Sequence, residues 1–206
     1  MLKLFHAWGS CSLASAIALH EAHADFELVT MNTKDGDQRK PEYLAINPKG
    51  RVPTLVTHRG ILTETPAILA YIAQSFPAAK LAPLDDPYAF AQAQAFNSYL
   101  CSTVHVAHAH KHRGYRWTDD PVALAALTRQ VPQNEIVCFR LIEDEMFQGP
   151  WVLGDAYSIC DAYLYTVLGW LPGDGVDVAQ FPRLADHSRR VAERPAVRKV
   201  LALEAA

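Results

Sequence analysis

AINPKGRVPTLVTHRGILTETPAILAYIA, residues Ala45 to Ala73, carries three signals in a fixed order. Asn47-Pro48-Lys49-Gly50 is a turn: proline cannot continue a helix, and glycine tolerates backbone angles that other residues resist. Val52 to Val56 and Gly60 to Thr63 read as two short strands joined at His58-Arg59. Pro53 cannot donate a ladder hydrogen bond, so it belongs at a strand start or an edge. Glu64-Thr65-Pro66 then opens a helix, with Thr65 as the expected cap and Pro66 at the first helical position. A helix start presents free N–H groups and partial positive charge, which together favour carboxylates. The stretch therefore predicts a strand edge beside an anion-binding helix end. Such a site can hold a small peptide: the backbone near Val52 and Pro53 pairs with its peptide bond, Thr65 holds a carboxylate and Glu64 takes an amine. An ordinary hairpin followed by a capped helix explains the same residues.

Upstream, Leu2 to Phe5 is a short apolar strand and His6 to Ser10 a glycine-containing loop. Ser10 or Cys11 opens a helix in which Leu13, Ala14, Ile17 and Ala18 recur at helical spacing. Phe26 to Met31 is a second strand, which makes a βαβ unit with parallel strands. A short helix over 42–46 and the hairpin follow, so the order is βαβαββα. Downstream, a linker rich in proline and small residues occupies 79–86, and everything from Tyr88 on has a helical pattern. A long helix is expected over 88–112, then another over 120–147 that kinks or breaks at Pro132. Ser158 and Asp161 are spaced as a capping box and read as a folding element. A loop over 174–180 precedes two helices, near 182–193 and 195–204, divided at Arg194-Pro195.

Half of the 206 residues are hydrophobic and the formal net charge is −3. That balance gives no reason to expect nucleic acid or an anionic membrane surface as a partner. No stretch approaches the roughly 20 apolar residues of a membrane span, and no signal-peptide core precedes a cleavage site. Cys11, Cys101, Cys138 and Cys160 form no CxxC, and free thiols in a reducing cytoplasm are expected.

The run NPKG-x-VP-x-L, a strand pair and LTE-T-x-AI-x-x-YI resembles the glutathione-binding half of the glutathione transferases. Lys3-Leu4-Phe5 with Gly9-Ser10-Cys11-Ser12-Leu13-Ala14-Ser15 is similar to the signature of their bacterial beta class, and the likeness extends over nearly the whole chain. It implies an α/β thioredoxin-like domain at residues 1–78 and an all-α domain at 87–206 supplying a pocket for a hydrophobic electrophile. It also implies glutathione as co-substrate and a cytoplasmic homodimer. A polar residue of the partner's first long helix would reach the ligand, with Asn97 or Ser98 as the nearest candidates.

Cys11 is the sharpest catalytic candidate. It sits at a helix N-terminus, where dipole and free N–H groups favour the thiolate. In the resembling class the matching cysteine lies against the glutathione sulfur and can form a mixed disulfide. His105 is the corresponding cleft histidine, able to stabilise the thiolate or accept its proton. His6, Trp8, Ser10 and Val106 depart from the class pattern. Ser10 or Ser12 is a rival donor to the sulfur, and Trp8 is expected to reshape the second-substrate pocket. Lys34, Arg39 and Lys49 are candidates for the glycine carboxylate of glutathione. His105, His108, His110 and His112 cluster without a nearby carboxylate in sequence, which favours a polar cleft wall over a metal site. Two rivals to conjugation stand: a Cys11-dependent disulfide or peroxide reductase, and a non-catalytic interaction protein on the same fold.

Overall fold

The computed structural model describes residues 1–204. Strand β1 (Leu2–His6), helix α1 (Ser12–Glu21) and strand β2 (Phe26–Thr30) form the expected βαβ unit. β1 and β2 are parallel, in register from Leu2–Phe26 to His6–Thr30. Helix α2 (Pro41–Leu44) leads to the hairpin of β3 (Thr54–Thr57) and β4 (Gly60–Thr63), and helix α3 (Thr65–Ser75) follows. β3 runs antiparallel to both β1 and β4, so the sheet order is β2-β1-β3-β4. This is a thioredoxin-like sheet domain, as the order of elements predicted.

The sheet is covered on both faces. Helices α1 and α3 pack together on one, burying Ile17, Leu19, Ile68, Leu69 and Ile72 completely. On the other, Tyr43 of α2 meets Phe5 edge-on at 5.3 Å and packs with Ala7 and Met31. The NPKG turn has a positional purpose. Asn47 is buried and its Nδ2 donates to the Arg51 carbonyl (2.8 Å) and to Thr54 Oγ1 (2.9 Å); Tyr43 Oη donates to the same carbonyl at 2.6 Å. Gly50 has φ +60°, and a Cβ there would stand 2.9 Å from the Gln38 carbonyl oxygen, so the turn admits only glycine without rearrangement.

The remaining named elements among the described residues are helical: α4 (Pro87–Tyr99), α5 (His105–Arg113), α6 (Pro121–Leu141), α7 (Ile159–Leu168), α8 (Leu171–Asp174), α9 (Pro182–Ala192) and α10 (Pro195–Glu204). The expected long helix over 88–112 exists as α4 and α5 joined through a π-type turn at Leu100–Val104. Such an insertion rotates the following residues about the helix axis, and π turns cluster at functional sites. The expected break at Pro132 is absent: α6 runs through it without interruption. Val131, Glu135, Cys138 and Phe139 are buried around it, and packing against α5 and α8 outweighs a proline cost of about 3 kcal/mol. The expected loop over 174–180 is partly ordered, with the end of α8 and a short 3-10 turn at Val178–Gln180. Thr65 is not a cap but the first residue of α3; Glu64 holds the cap position, with φ 72° and no side-chain cap bond.

The capping box at α7 is present and does more than cap. Asp161 is fully buried and accepts from the N–H of Ser158 and of Val152, both at 2.8 Å. His187 of α9 adds its Nε2 at 2.9 Å. One carboxylate thus ties α7, the 151–158 loop and α9 together. Asp161→Ala strands all of these groups away from water and should lower stability by about 3 kcal/mol. Denaturant unfolding measures it; a loss under about 1 kcal/mol would mean the network is not cooperative.

Candidate active site

A cleft opens between the sheet and α5. Its first compartment is lined by Cys11, Val52, Pro53, Glu64, Thr65 and His105, which brings together six of the eight site residues expected from sequence. Ser10 joins Cys11, Val52 and His105 in a second compartment alongside. Lys34 lines neither. It lies on an exposed turn, and Arg39 and Arg51 reach the cleft instead.

The Val52–Pro53 peptide is cis, and the Arg51 carbonyl before it is fixed by Asn47 and Tyr43. Glu64 has a left-handed backbone, a rare and costly state for a residue with a side chain, of the kind that clusters at ligand sites. Its carboxylate is half exposed and paired with Lys49 Nζ at 2.5 Å, and Lys49 also donates to Thr63 Oγ1. Lys49 is therefore committed to Glu64 rather than free for a ligand carboxylate. Beyond Glu64, the first N–H groups of α3 lack helical partners, and Thr65 at that helix start lines the cleft.

Cys11 is nearly buried at the start of α1, and its Sγ donates to the Val52 carbonyl at 3.6 Å. Burial pushes the thiol above its ordinary pKa; the Thr65 hydroxyl and the Arg113 charge oppose this and lose. The expectation of a thiolate at the helix start is thus corrected, because desolvation outweighs the dipole. His105 is also neutral. Burial, then the charges of Arg113, His108, Arg116 and Arg51, lower it to about 4. It suits hydrogen-bond donation to a sulfur anion better than proton abstraction at neutral pH.

The rival sulfur donors are occupied elsewhere. Ser10 donates its hydroxyl to the Ala7 carbonyl at 2.7 Å. Ser12 is buried, accepts from the Ala7 N–H and lies 2.8 Å from His6 Nδ1. His6 is buried with them, and burial holds it near 4. The polar departures at His6 and Ser10 therefore satisfy one another beneath the loop. Trp8 is likewise not in the cleft; it packs edge-on against His6 at 4.2 Å.

Trp170, between α7 and α8, holds the cleft position that sequence assigned to Trp8. Its Nε1 donates to the Gly9 carbonyl at 3.0 Å, and its ring stacks on His108 at 4.5 Å. His108 has a carboxylate partner after all: Asp174 Oδ2 lies 2.6 Å from Nδ1. His110 points elsewhere, against Trp117 at 4.4 Å. Among the described residues no group of three or more histidine, cysteine or acidic side chains converges as a metal ligand set. Arg51, Arg113, Arg116, Tyr163 and Cys101 also line the cleft without having been singled out. Arg113 ends the histidine helix and Arg116 follows one turn later, and no spacing in the sequence singled them out. Asn97 is fully buried and cannot reach a neighbouring chain; Ser98 is exposed.

Residues 1–74 match the family model "Glutathione S-transferase, N-terminal domain". Glutathione S-transferase GstA of Escherichia coli O157:H7 is 32% identical, over 98% of this chain and 98% of its own. The crystal structure of a glutathione transferase homologue from Sulfitobacter, with bound glutathione, is 43% identical. It superposes with a TM-score of 0.96 over 99% of this chain and 98% of that one. A bacterial beta class glutathione S-transferase from Sphingomonas chungbukensis is 31% identical, with a TM-score of 0.84 over 98% of each chain.

Two depressed histidines make the fold acid-sensitive. Below the ordinary histidine pKa of about 6.5 the unfolded chain takes up protons that folded His6 and His105 refuse until about 4. Stability is therefore intact above about pH 6.5 and falls as pH drops toward 4. His6 alone removes about 2 kcal/mol by pH 5. His6→Asn, which preserves a partner for Ser12, should show a shallower acid loss in denaturant titrations at pH 7 and pH 5. An unchanged difference would mean that His6 is not held neutral.

Proposed function

This chain belongs to the glutathione S-transferase family, and from that premise we propose that it conjugates reduced glutathione to electrophiles within the cleft described above. What carries the reading is the convergence of a fixed backbone edge at Val52, the Glu64–Thr65 helix start, Cys11 and His105 on one cleft. Glutathione offers complementary parts. Its cysteine peptide groups pair with the Val52 backbone. Its ammonium meets Glu64, and its γ-glutamyl carboxylate meets Thr65 and the free N–H groups of α3. Its glycine carboxylate is left for Arg39 or Arg51. The sulfur then lies near Cys11 and His105.

The protein's task is to lower the pKa of the bound thiol so that it ionises near neutral pH. The neutral His105 imidazole and the Cys11 thiol supply hydrogen bonds to the sulfur. The thiolate attacks an electrophilic carbon; a C–S bond forms, and the leaving group departs with its electron pair. Residues 1–78 hold glutathione and residues 87–206 supply the second substrate's wall. Exposed Ile61 on edge strand β4 and exposed Tyr88 on α4 support a homodimer, and Ser98 is the candidate for reaching the partner's ligand. Four free cysteines support a reducing, cytoplasmic setting.

A second reading is thiol–disulfide exchange at Cys11, which lines the first compartment beside Cys101. In it the Cys11 thiolate attacks a glutathione mixed disulfide, releases the other thiol, and is regenerated by a second glutathione with formation of glutathione disulfide. The raised Cys11 pKa counts against this as the main activity.

Calorimetric titration with reduced glutathione tests the site: about one molecule should bind per chain, and Glu64→Ala should weaken binding at least about tenfold. Unchanged affinity in the variant removes the assignment. Cys11→Ala separates the two readings. Conjugation predicts a kcat reduced about tenfold or less, with a higher pKa in the rate profile. The exchange reading predicts intact conjugation and complete loss of disulfide reduction.

A further inference from the structure

The second compartment of the cleft is cationic: Arg39, Arg51, Arg113 and Arg116 line it, and no aspartate or glutamate does. None of these four arginines pairs with a carboxylate among the described residues, as Arg189, Arg190 and Arg194 do; Arg59, Arg129, Arg140 and Arg198 also have none but line neither compartment of the cleft. Arg51 comes from the sheet domain, Arg113 ends α5 and Arg116 lies in the turn after it, so the fold brings like charges toward one another from both walls. The crowding is felt: burial, Arg51 and Arg113 all lower Arg116. Arg113 alone could be explained as a cation completing the C-terminal end of α5. Arg116 lies beyond that end, in the turn Gly114–Arg116, and has no such account.

Glutathione does not use up this charge. It brings two carboxylates, one ammonium and, once ionised, a thiolate that His105 and Cys11 meet. Glu64 takes the ammonium, the start of α3 takes one carboxylate, and the other has Arg39 or Arg51. Arg113 and Arg116 are left without a counter-ion when glutathione is bound. Unpaired guanidinium groups in a partly desolvated cleft are the usual receptors for a planar carboxylate, which they hold through two hydrogen bonds.

We propose that the second substrate is an anionic electrophile, a carboxylate-bearing molecule whose carboxylate is held by Arg113 and Arg116 while its electrophilic carbon faces the glutathione sulfur. The proposal rests on glutathione occupying the first compartment. Trp170, which lines the second compartment with Arg113 and Arg116, supplies a flat apolar surface for an unsaturated or aromatic body. The pocket is thereby specific for charge as well as for shape, in contrast to the hydrophobic pocket that the resemblance implied.

A matched pair of electrophiles tests it: 4-chloro-3-nitrobenzoate and its methyl ester. In each, the glutathione sulfur forms a bond to the ring carbon and chloride leaves with the electron pair. Enzyme rates are divided by the uncatalysed rates, since the ester is the more reactive. The acid should be preferred at least about tenfold in normalised kcat/KM, and the preference should shrink with added salt. Arg113→Gln and Arg116→Gln should abolish the preference through KM, with calorimetric affinity for glutathione alone kept within about twofold. The two purified S-conjugates, titrated calorimetrically, read the same preference without turnover. Equal or tighter binding of the ester conjugate overturns the proposal. So does an equal slowing of both substrates in the variants, which would assign the arginines to the sulfur. Failure of glutathione itself to bind the unsubstituted protein would instead overturn the underlying site.

Discussion

Helix α1 has no solvent face over most of its length, and the rest of the molecule is arranged around that fact. Ser12 through Leu19 are all buried. The helix touches β1 and α3 on one side and α7 and α10 on the other. A helix apolar all round is stable only when wrapped completely, and its alanines and serines let neighbouring backbones come close. The sheet and the helical segment therefore share one hydrophobic core, in which Leu4, Ile17 and Leu69 join Leu164, Val167 and Val200. At the solvent end of α1, Glu21 receives two hydrogen bonds from Arg194, at 2.5 and 2.8 Å, which anchor the last two helices to it. The packing of α1 on every side thus sets the position of Cys11 at its start.

Two kinds of electrostatics coexist around this core. The buried carboxylate of Asp161 is saturated by donors from three segments and serves only to hold them. In the cleft, charges of one sign accumulate without partners. Neutral, desolvated Cys11 and His105 sit beside unpaired arginines. A folding network gains by meeting every donor with an acceptor. A binding site gains by leaving donors for the ligand to meet, and tolerates some repulsion until it arrives. That difference in satisfaction separates the two clusters more clearly than residue type does.

Much of the candidate site was legible because it is local in sequence. Asn47, Gly50, Val52, Pro53, Glu64 and Thr65 lie within one turn, one strand start and one helix start, and each has a backbone reason for its place. What stayed hidden depends on long-range approach. Trp170 reaches Gly9 across 161 residues of chain, and Asp174 meets His108 across 66. No periodicity in the sequence announces either contact. Trp8 and Trp170 illustrate the point: residue type and proximity to Cys11 favoured the first, and the tertiary fold chose the second.

The sequence by itself determined the order of the elements, the turn and cap chemistry, and the family, because these follow from glycine, proline and hydrophobic spacing along a few consecutive residues. Only the tertiary structure decided the chemical state of the site. Whether Cys11 is thiol or thiolate, whether His105 is neutral, and where Arg51, Arg113 and Arg116 converge all depend on desolvation and on charges from distant segments. Those are properties of a three-dimensional surrounding, and a linear spacing rule carries no information about the dielectric a side chain will meet.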